Sequence, residues 1–471
     1  MNMNVRFQSM AFALRTHRLY LCATFALLAL ISICSLAVPA QAYADVRKAD
    51  VILGDTVENR GLNVADCPDI AAEFAYVVDE DGTVYFQRDG DEQTKIASVT
   101  KIMTAVVALD SVPMDTEITV SEKAASIGES SAELQEGDTM PLSEALKALM
   151  VPSGNDAAEA IAESLGALML ESEGKDSSDA DACCQAFVDA MNAKAQELGM
   201  SNTNYTNPHG LDDEEYEGDM YSSAHDVATL CAYAMQKDGF RDLCDNETET
   251  CTVTRDGKSE ALELESTDEL LGVYEGTCGI KTGFTDTAGA CFAGACNRDD
   301  KDLYAIVLKS TDEAQRFTDC VSLWDWVYNN TVEYRLANAN ETTTDEATGE
   351  NVPLVAKVAA TSWIDKTVNA TLEDPDAIIT VFSLEGNISQ SVEYEKNEGA
   401  IKAGQKLGTI TYKQHNEVVA TADIVATESL AAPNPLETIG IFFQRIGRVQ
   451  KTAENVFLND SQILNDKSTS N

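Results

Sequence analysis

The chain has 471 residues, enough for two or three domains at ~100–200 residues each. Its hydrophobic content of 44% and aromatic content of 7% are those of an ordinary globular protein. A net charge of −46 excludes nucleic acid as a partner, because that binding needs basic surface. Only four histidines are present, and His17 lies in the leader, so a Ser-His-Asp enzyme is poorly supported and histidine-rich metal sites lack material.

Residues 1–18 carry Arg6, Arg15 and Arg18 and no acid, and Leu19 to Val38 is nearly all apolar. Ala40-Gln41-Ala42 and Ala42-Tyr43-Ala44 offer small-x-small cleavage patterns, so 1–44 reads as a secretory signal peptide. An uncleaved anchor is the rival, since about 20 apolar residues span a bilayer. Either way the remainder is exported. Export permits disulfides; by spacing, Cys244 with Cys251 and Cys278 with Cys296 are the candidate pairs. Adjacent Cys183-Cys184 reads as structural.

From Ala71 to Phe86 the text alternates around Asp81-Gly82, a hairpin signal feeding a helix that begins near Ser98. Ile102, Ala105, Val106 and Leu109 keep a helical period, so that helix is buried. Ser98 and Lys101 stand three apart and share its face, which lets Oγ and Nζ meet. A serine hydroxyl attacks poorly until a base takes its proton. A lysine serves as that base where burial and nearby positive charge keep its amine neutral. Met140 to Leu170 reads as helices broken at Val151-Pro152-Ser153-Gly154, which puts Ser153 and Asn155 on a turn; a plain helix cap explains both residues equally well.

Glu171 to Ala182 is acidic and serine-rich and reads as an exposed insertion loop, before helical periodicity resumes over Phe187 to Leu198. Asn207-Pro208-His209-Gly210-Leu211-Asp212 follows as a turn. His209 reads as a turn-stabilising or site-lining residue rather than a catalytic base, and His225 as surface or cap. Gly279 to Gly283, holding Lys281-Thr282-Gly283, reads as a strand edge, with Gly289 to Ala295 and Leu303 to Leu308 as neighbouring strands. Arg316 to Tyr328 closes the unit as a helix with Phe317, Cys320, Leu323, Trp324 and Val327 on its core stripe. The fold class is α+β: an antiparallel sheet packed by helices, plus a helical subdomain, with the site in the cleft between them.

Ser98-x-x-Lys101, Ser153-x-Asn155 and Lys281-Thr282-Gly283, in that order, form the signature of penicillin-binding proteins and serine β-lactamases. With Asn207-Pro208-His209-Gly210-Leu211 added, the stretch from Ala71 to Tyr328 resembles the D-alanyl-D-alanine carboxypeptidases, the low-molecular-mass penicillin-binding proteins. The resemblance implies a β-lactamase/transpeptidase-like catalytic domain that cuts the terminal D-alanine from peptidoglycan stem peptides and is acylated by β-lactams, without metal or cofactor. It implies Ser98 as nucleophile, Lys101 as general base and Ser153 as proton relay. It has Asn155 holding the substrate amide, and Lys281, Thr282, Gly283 and Phe284 binding substrate. A D,D-endopeptidase using the same site, or a catalytically silent wall-binding scaffold, are the alternatives. Glu265-Ser266-Thr267-Asp268-Glu269-Leu270-Leu271 departs from the family pattern and bears on the substrate rim.

These readings divide the mature chain into a catalytic domain over 45–336, a polar linker over 337–350, a small β-domain over 351–430, and an amphipathic helix with a polar tail over 431–471. Strand-like runs lie at Leu354 to Ala360, Ile378 to Leu384, Ser391 to Tyr394, Leu407 to Lys413 and Val418 to Val425. In 436–451, Leu436, Ile439, Phe442, Phe443, Ile446 and Val449 share one helical face, and Arg445, Arg448 and Lys451 lie opposite. That pattern suits either peripheral contact with an anionic membrane or docking on the β-domain. Asn459 to Asn471 reads as a frayed end. The place of action is the outer side of the cytoplasmic membrane or the cell wall.

Overall fold

The computed structural model describes residues 51–52, 55–56, 67–213, 216, 218–447 and 452–464. The expected leader over 1–44 lies outside the described residues, as do Val449, Arg448 and Lys451 of the amphipathic stretch.

A seven-stranded antiparallel sheet organises the first part of the molecule, in spatial order 55–56, 51–52, 84–88, 74–79, 301–310, 289–298, 277–285. Its central strands are apolar at nearly every position because both faces are covered. Side chains alternate across a strand. Cys291, Ala293 and Ala295, with Tyr304, Ile306 and Leu308, enter one core, and Phe292, Cys296, Leu303, Ala305 and Val307 enter the other. The closing helix Glu313–Asn330 covers the second face with Phe317, Cys320, Leu323, Trp324 and Val327, all buried as the sequence spacing anticipates. The strand Thr277–Thr285 stands at the sheet edge, so one side of its backbone is free to meet a ligand.

The first core is largely helical. A short 3-10 turn, Ala97–Thr100, leads into the helix Lys101–Ser111, whose residues from Lys101 to Ala108 are all buried. Around it pack Leu142–Met150, Asn155–Ser172, Ala180–Glu197 and Ala224–Ala234. The break between the first and second of these falls at Val151 to Gly154, as expected. The acidic insertion is shorter than the sequence suggests. The preceding helix runs to Ser172 and the next starts at Ala180, where Asp179 accepts the Asp181 N–H as a cap. One element escapes sequence reading. Thr248–Arg255 and Lys258–Glu265 form a polar hairpin that extends the small sheet of Glu117–Thr119 and Thr139–Pro141. Its inward positions Cys251, Val253, Leu262 and Leu264 do alternate with polar ones, but each run is too short to mark a strand by itself.

Cys244, Cys251, Cys278 and Cys296 are free thiols, so neither disulfide suggested by spacing forms. Cys244 lies in a helix and Cys251 in the hairpin, each buried in the helical core.

A third core holds the last part of the chain. Six strands, in order 389–394, 406–414, 417–426, 367–372, 356–359, 456–457, form an antiparallel sheet over Val358, Val368, Leu407, Ile410, Tyr412 and Ile424. The polar stretch taken for a linker is tied into this layer: Thr342–Thr344 pairs with Asn351–Pro353, and Asn369 Nδ2 donates to Thr343. The turn His415-Asn416 has positive φ at both residues, which suits a two-residue hairpin. The helix Pro435–Gly447 follows, with no buried residue.

After it the chain returns. Val456–Phe457 adds an edge strand, and Asn459 is buried, donating from Nδ2 to the Leu336 carbonyl at 2.7 Å and accepting from the Asn338 N–H at 2.6 Å. The expectation of a frayed end therefore fails for 459–464, because side-chain hydrogen bonding to a distant backbone leaves no local pattern. Asn459→Ala should cost ~1–3 kcal/mol by orphaning these backbone groups, read as a lowered thermal midpoint. An unchanged midpoint would show the returning tail to be dispensable.

Candidate active site

The sequence motifs meet in one cleft. Lys101 is fully buried; its Nζ lies 2.8 Å from Ser98 Oγ and donates to Asn155 Oδ1 at 2.6 Å and to the His209 carbonyl at 2.8 Å. Three different segments thus supply three hydrogen-bond partners to one amine, whose lone pair is left for the Ser98 hydroxyl. Burial holds the Lys101 pKa well below the usual lysine range; the charge of Lys281 reinforces this and Asp156 opposes it. A neutral amine 2.8 Å from a serine hydroxyl is a base in contact with its proton.

The backbone is shaped for the contact. Ala97, just before Ser98, holds φ at +49°, and Ser153 holds φ at +65°, both unusual for non-glycine residues. Two glycines allow backbone to approach the nucleophile turn. A β-carbon at Gly210 would lie 2.0 Å from the Ala97 carbonyl oxygen, and φ there is +97°. A β-carbon at Gly283 would lie 2.8 Å from the Ile96 oxygen and 3.1 Å from the Ser98 nitrogen. The edge strand therefore runs against the N–H of Ser98.

Ser153 is buried, and its Oγ has no hydrogen-bond partner, so its donor and acceptor capacity is unspent. Asn155 is anchored by its Nδ2, which donates to the Gly128 carbonyl at 2.9 Å. Asp156 accepts from the N–H groups of Ala132 and Leu134 and so holds the adjoining loop. Lys281 is buried with Nζ on the Thr282 carbonyl at 3.0 Å. Burial first, then Arg316, pulls its pKa down to about 7, against the opposing Cys244 and Asp268. Thr282 Oγ1 pairs with Thr267 Oγ1 at 2.5 Å. Phe284 is half exposed and lines a cavity of about 330 Å³ with Leu211 and Asp212.

Sequence reasoning missed several contributors. Arg316 is buried and donates to the Gly283 carbonyl at 3.2 Å, placing a second cation behind Lys281. Its only signal was a charge beside the core stripe of the closing helix. The departing segment 265–271 does reach the site through Thr267, and Asp268 there is pushed up to about 6 by burial. His209 contributes its backbone carbonyl, while its ring accepts the Leu211 N–H at Nδ1. His225 lies apart, stacked on Tyr76 and bonded to Asp91. Among the described residues no group of three or more acidic, cysteine or histidine side chains is arranged to hold a metal.

A neutral lysine on a serine, beside two further cations, suits acyl transfer from an anionic donor. Because kcat/KM follows free-enzyme groups, it should fall on the acid side as Lys101 gains a proton. It should also fall above about pH 7, as Lys281 loses the charge that attracts a carboxylate. Lys281→Gln should remove the basic limb in a pH series of kcat/KM; a limb that persists would assign it elsewhere.

Comparison with known proteins agrees with this geometry. The model of peptidase family S11, D-alanyl-D-alanine carboxypeptidase, matches residues 62–312. The chain is 28% identical over 367 residues to D-alanyl-D-alanine carboxypeptidase DacF of Bacillus subtilis, covering 76% of this chain and 86% of that one. The crystal structure of the Streptomyces K15 DD-transpeptidase superposes with a TM-score of 0.51 at 28% identity, over 56% of this chain and 98% of that one. The carboxypeptidase DacD structure from Francisella tularensis, 22% identical, shares the fold over 84% of this chain and all of its own, with a TM-score of 0.51.

Proposed function

The chain belongs to the D-alanyl-D-alanine carboxypeptidase family of serine peptidases, and from that premise we propose how its residues divide the work. The reaction is removal of the terminal D-alanine from peptidoglycan stem peptides through an acyl-enzyme. Ser98 Oγ attacks the carbonyl carbon between the two D-alanines while Lys101 Nζ takes its proton. The observation that carries this is the buried amine of Lys101 shared among Ser98, Asn155 and the His209 carbonyl. As the C–N bond breaks, the proton passes through the unspent hydroxyl of Ser153 to the leaving amine. Water then attacks the ester, gives its proton to Lys101, and releases the shortened peptide and the Ser98 hydroxyl.

Lys281, with Arg316 behind it, attracts the terminal carboxylate, and Thr282 adds a hydroxyl. Asn155 orients the substrate amide. Gly283 leaves the edge strand open for substrate backbone to lie along it. The N–H groups of Ser98 and Phe284 form the oxyanion hole, each such donor being worth ~10²–10³ in rate. Local cations are needed because the chain as a whole, at −46, repels an anionic peptide. Penicillins acylate the same serine.

The substrate lies outside the cytoplasm, which accords with a leader over 1–44. We read 45–336 as the catalytic unit and the β-layer over 351–430, with its returning strand, as a spacer. The helix Pro435–Gly447 leaves Leu436, Ile439, Phe442, Phe443 and Ile446 exposed, while Arg445 donates to the Thr361 carbonyl at 2.6 Å. A helix held by its polar side, apolar side outward, fits peripheral contact with a membrane. Among the described residues no helix is long and apolar enough to cross one.

Purified protein lacking the leader should release D-alanine from a synthetic pentapeptide and be labelled by fluorescent penicillin, and Ser98→Ala should abolish both. Labelling retained in that variant would overturn the assignment, and monomerised muropeptides without free D-alanine would favour the endopeptidase reading. For the helix, Phe442→Glu with Phe443→Glu should end co-flotation with anionic liposomes; truncation is the poorer test because 456–464 belongs to the β-layer.

A further inference from the structure

A cavity of about 220 Å³ adjoins the turn that carries the His209 carbonyl, and Lys123, Glu159, Cys184 and His209 are among its walls. Glu159 and His209 are both fully buried, yet the catalytic steps above use neither side chain. The His209 tautomer follows from its contacts. The Leu211 N–H donates to Nδ1 at 3.2 Å, so Nδ1 keeps its lone pair and the proton sits on Nε2. Burial, reinforced by Lys101 and Lys123, holds the ring pKa well below the usual histidine range, so the ring is neutral.

Nε2 has no hydrogen-bond partner and faces Glu159 Oε2 at 4.0 Å. The other Glu159 oxygen lies 2.8 Å from Lys123 Nζ, and the Cys184 thiol donates to Oε2 at 3.6 Å. At 4.0 Å the carboxylate attracts the N–H dipole without a formed hydrogen bond, and a dry interior strengthens such attraction. Asn155 and Glu159 are four residues apart on one helix and therefore share a face. One reaches the Lys101 amine. The other reaches the ring of the residue whose carbonyl receives that amine. A single helical face thus governs both acceptors of the base's N–H groups.

We propose that Glu159 is a positioning residue for the lysine base: its carboxylate draws the Nε2–H of His209 toward the Asn155 helix and so holds the His209 carbonyl within reach of Lys101 Nζ. The proposal rests on Lys101 acting as the base. Lys123 holds the other Glu159 oxygen in place at 2.8 Å, and Asn207, whose Oδ1 accepts from Gly210 N–H at 2.7 Å, keeps the turn closed while the ring is pulled.

The test uses the full chain without its leader. Glu159→Ala should lower both penicillin acylation and kcat for D-alanine release about tenfold, with KM changed less than about twofold, because misplacement harms the step and not binding. Glu159→Gln keeps an oxygen toward Nε2–H and should restore the rate to within about threefold of the parent. In a His209→Phe background, which has no N–H to hold, Glu159→Ala should have no further effect. Nitrogen NMR of the histidine rings in the unsubstituted protein gives a readout that needs no variant: His209 should be neutral and protonated at Nε2. A Nδ1–H ring, an unchanged rate in Glu159→Ala, or additive losses in the double variant would overturn the proposal. Ser98-dependent labelling of the parent persists through each of those outcomes, whereas its loss would overturn the assignment of the base itself.

Discussion

Lys101 Nζ sits fully buried between a hydroxyl and two amide-type oxygens, contributed by the turn before its own helix, by Asn155 and by the His209 carbonyl. A charged ammonium would be costly in such a place, because no carboxylate contacts it and Lys281 adds like charge. Neutrality follows, and with it the capacity to take a proton. Most of the helical core exists in a form that serves this arrangement: the nucleophile helix is buried from Lys101 to Ala108 and cannot rotate without disturbing the packing on every side.

The same constraint explains the strained and stripped positions nearby. Positive φ at Ala97 and Ser153 is unfavourable on its own and persists because packing overdetermines it. Gly210 and Gly283 have no side chain because backbone must pass within contact distance of the nucleophile turn from two directions. The edge position of Thr277–Thr285 completes the geometry: a central strand would have spent its hydrogen bonds on a neighbour, whereas this one keeps a free side beside Ser98. Lys281 and Arg316 then set two basic side chains beside the Ser98 turn in a strongly acidic chain.

The last part of the molecule obeys a different logic. Its β-layer has its own core and no cluster of catalytic groups, and the returning strand after Pro435–Gly447 closes it. Arg445 illustrates the change of role that tertiary structure imposes. Counted by sequence as part of a basic face, it is engaged with the carbonyls of Thr361 and Trp363.

Much of this was legible in the text of the chain. Ser98 and Lys101 are near neighbours on one turn, helical and strand periodicities are local, and the core stripe of Glu313–Asn330 follows from spacing alone, so the motifs, the main elements and the α+β class could be read directly. What could not be read depends on contacts between residues far apart in sequence. The anchoring of Asn459, the unbridged Cys244 and Cys278, Arg316 behind Lys281, and Glu159 facing His209 leave no periodic trace, because each depends on a remote partner. Residue order determined which chemical groups are present and which local faces they share; only the folded chain decided which of them stand within three or four ångströms of each other, since that distance is set by packing of the whole core and not by any segment of it.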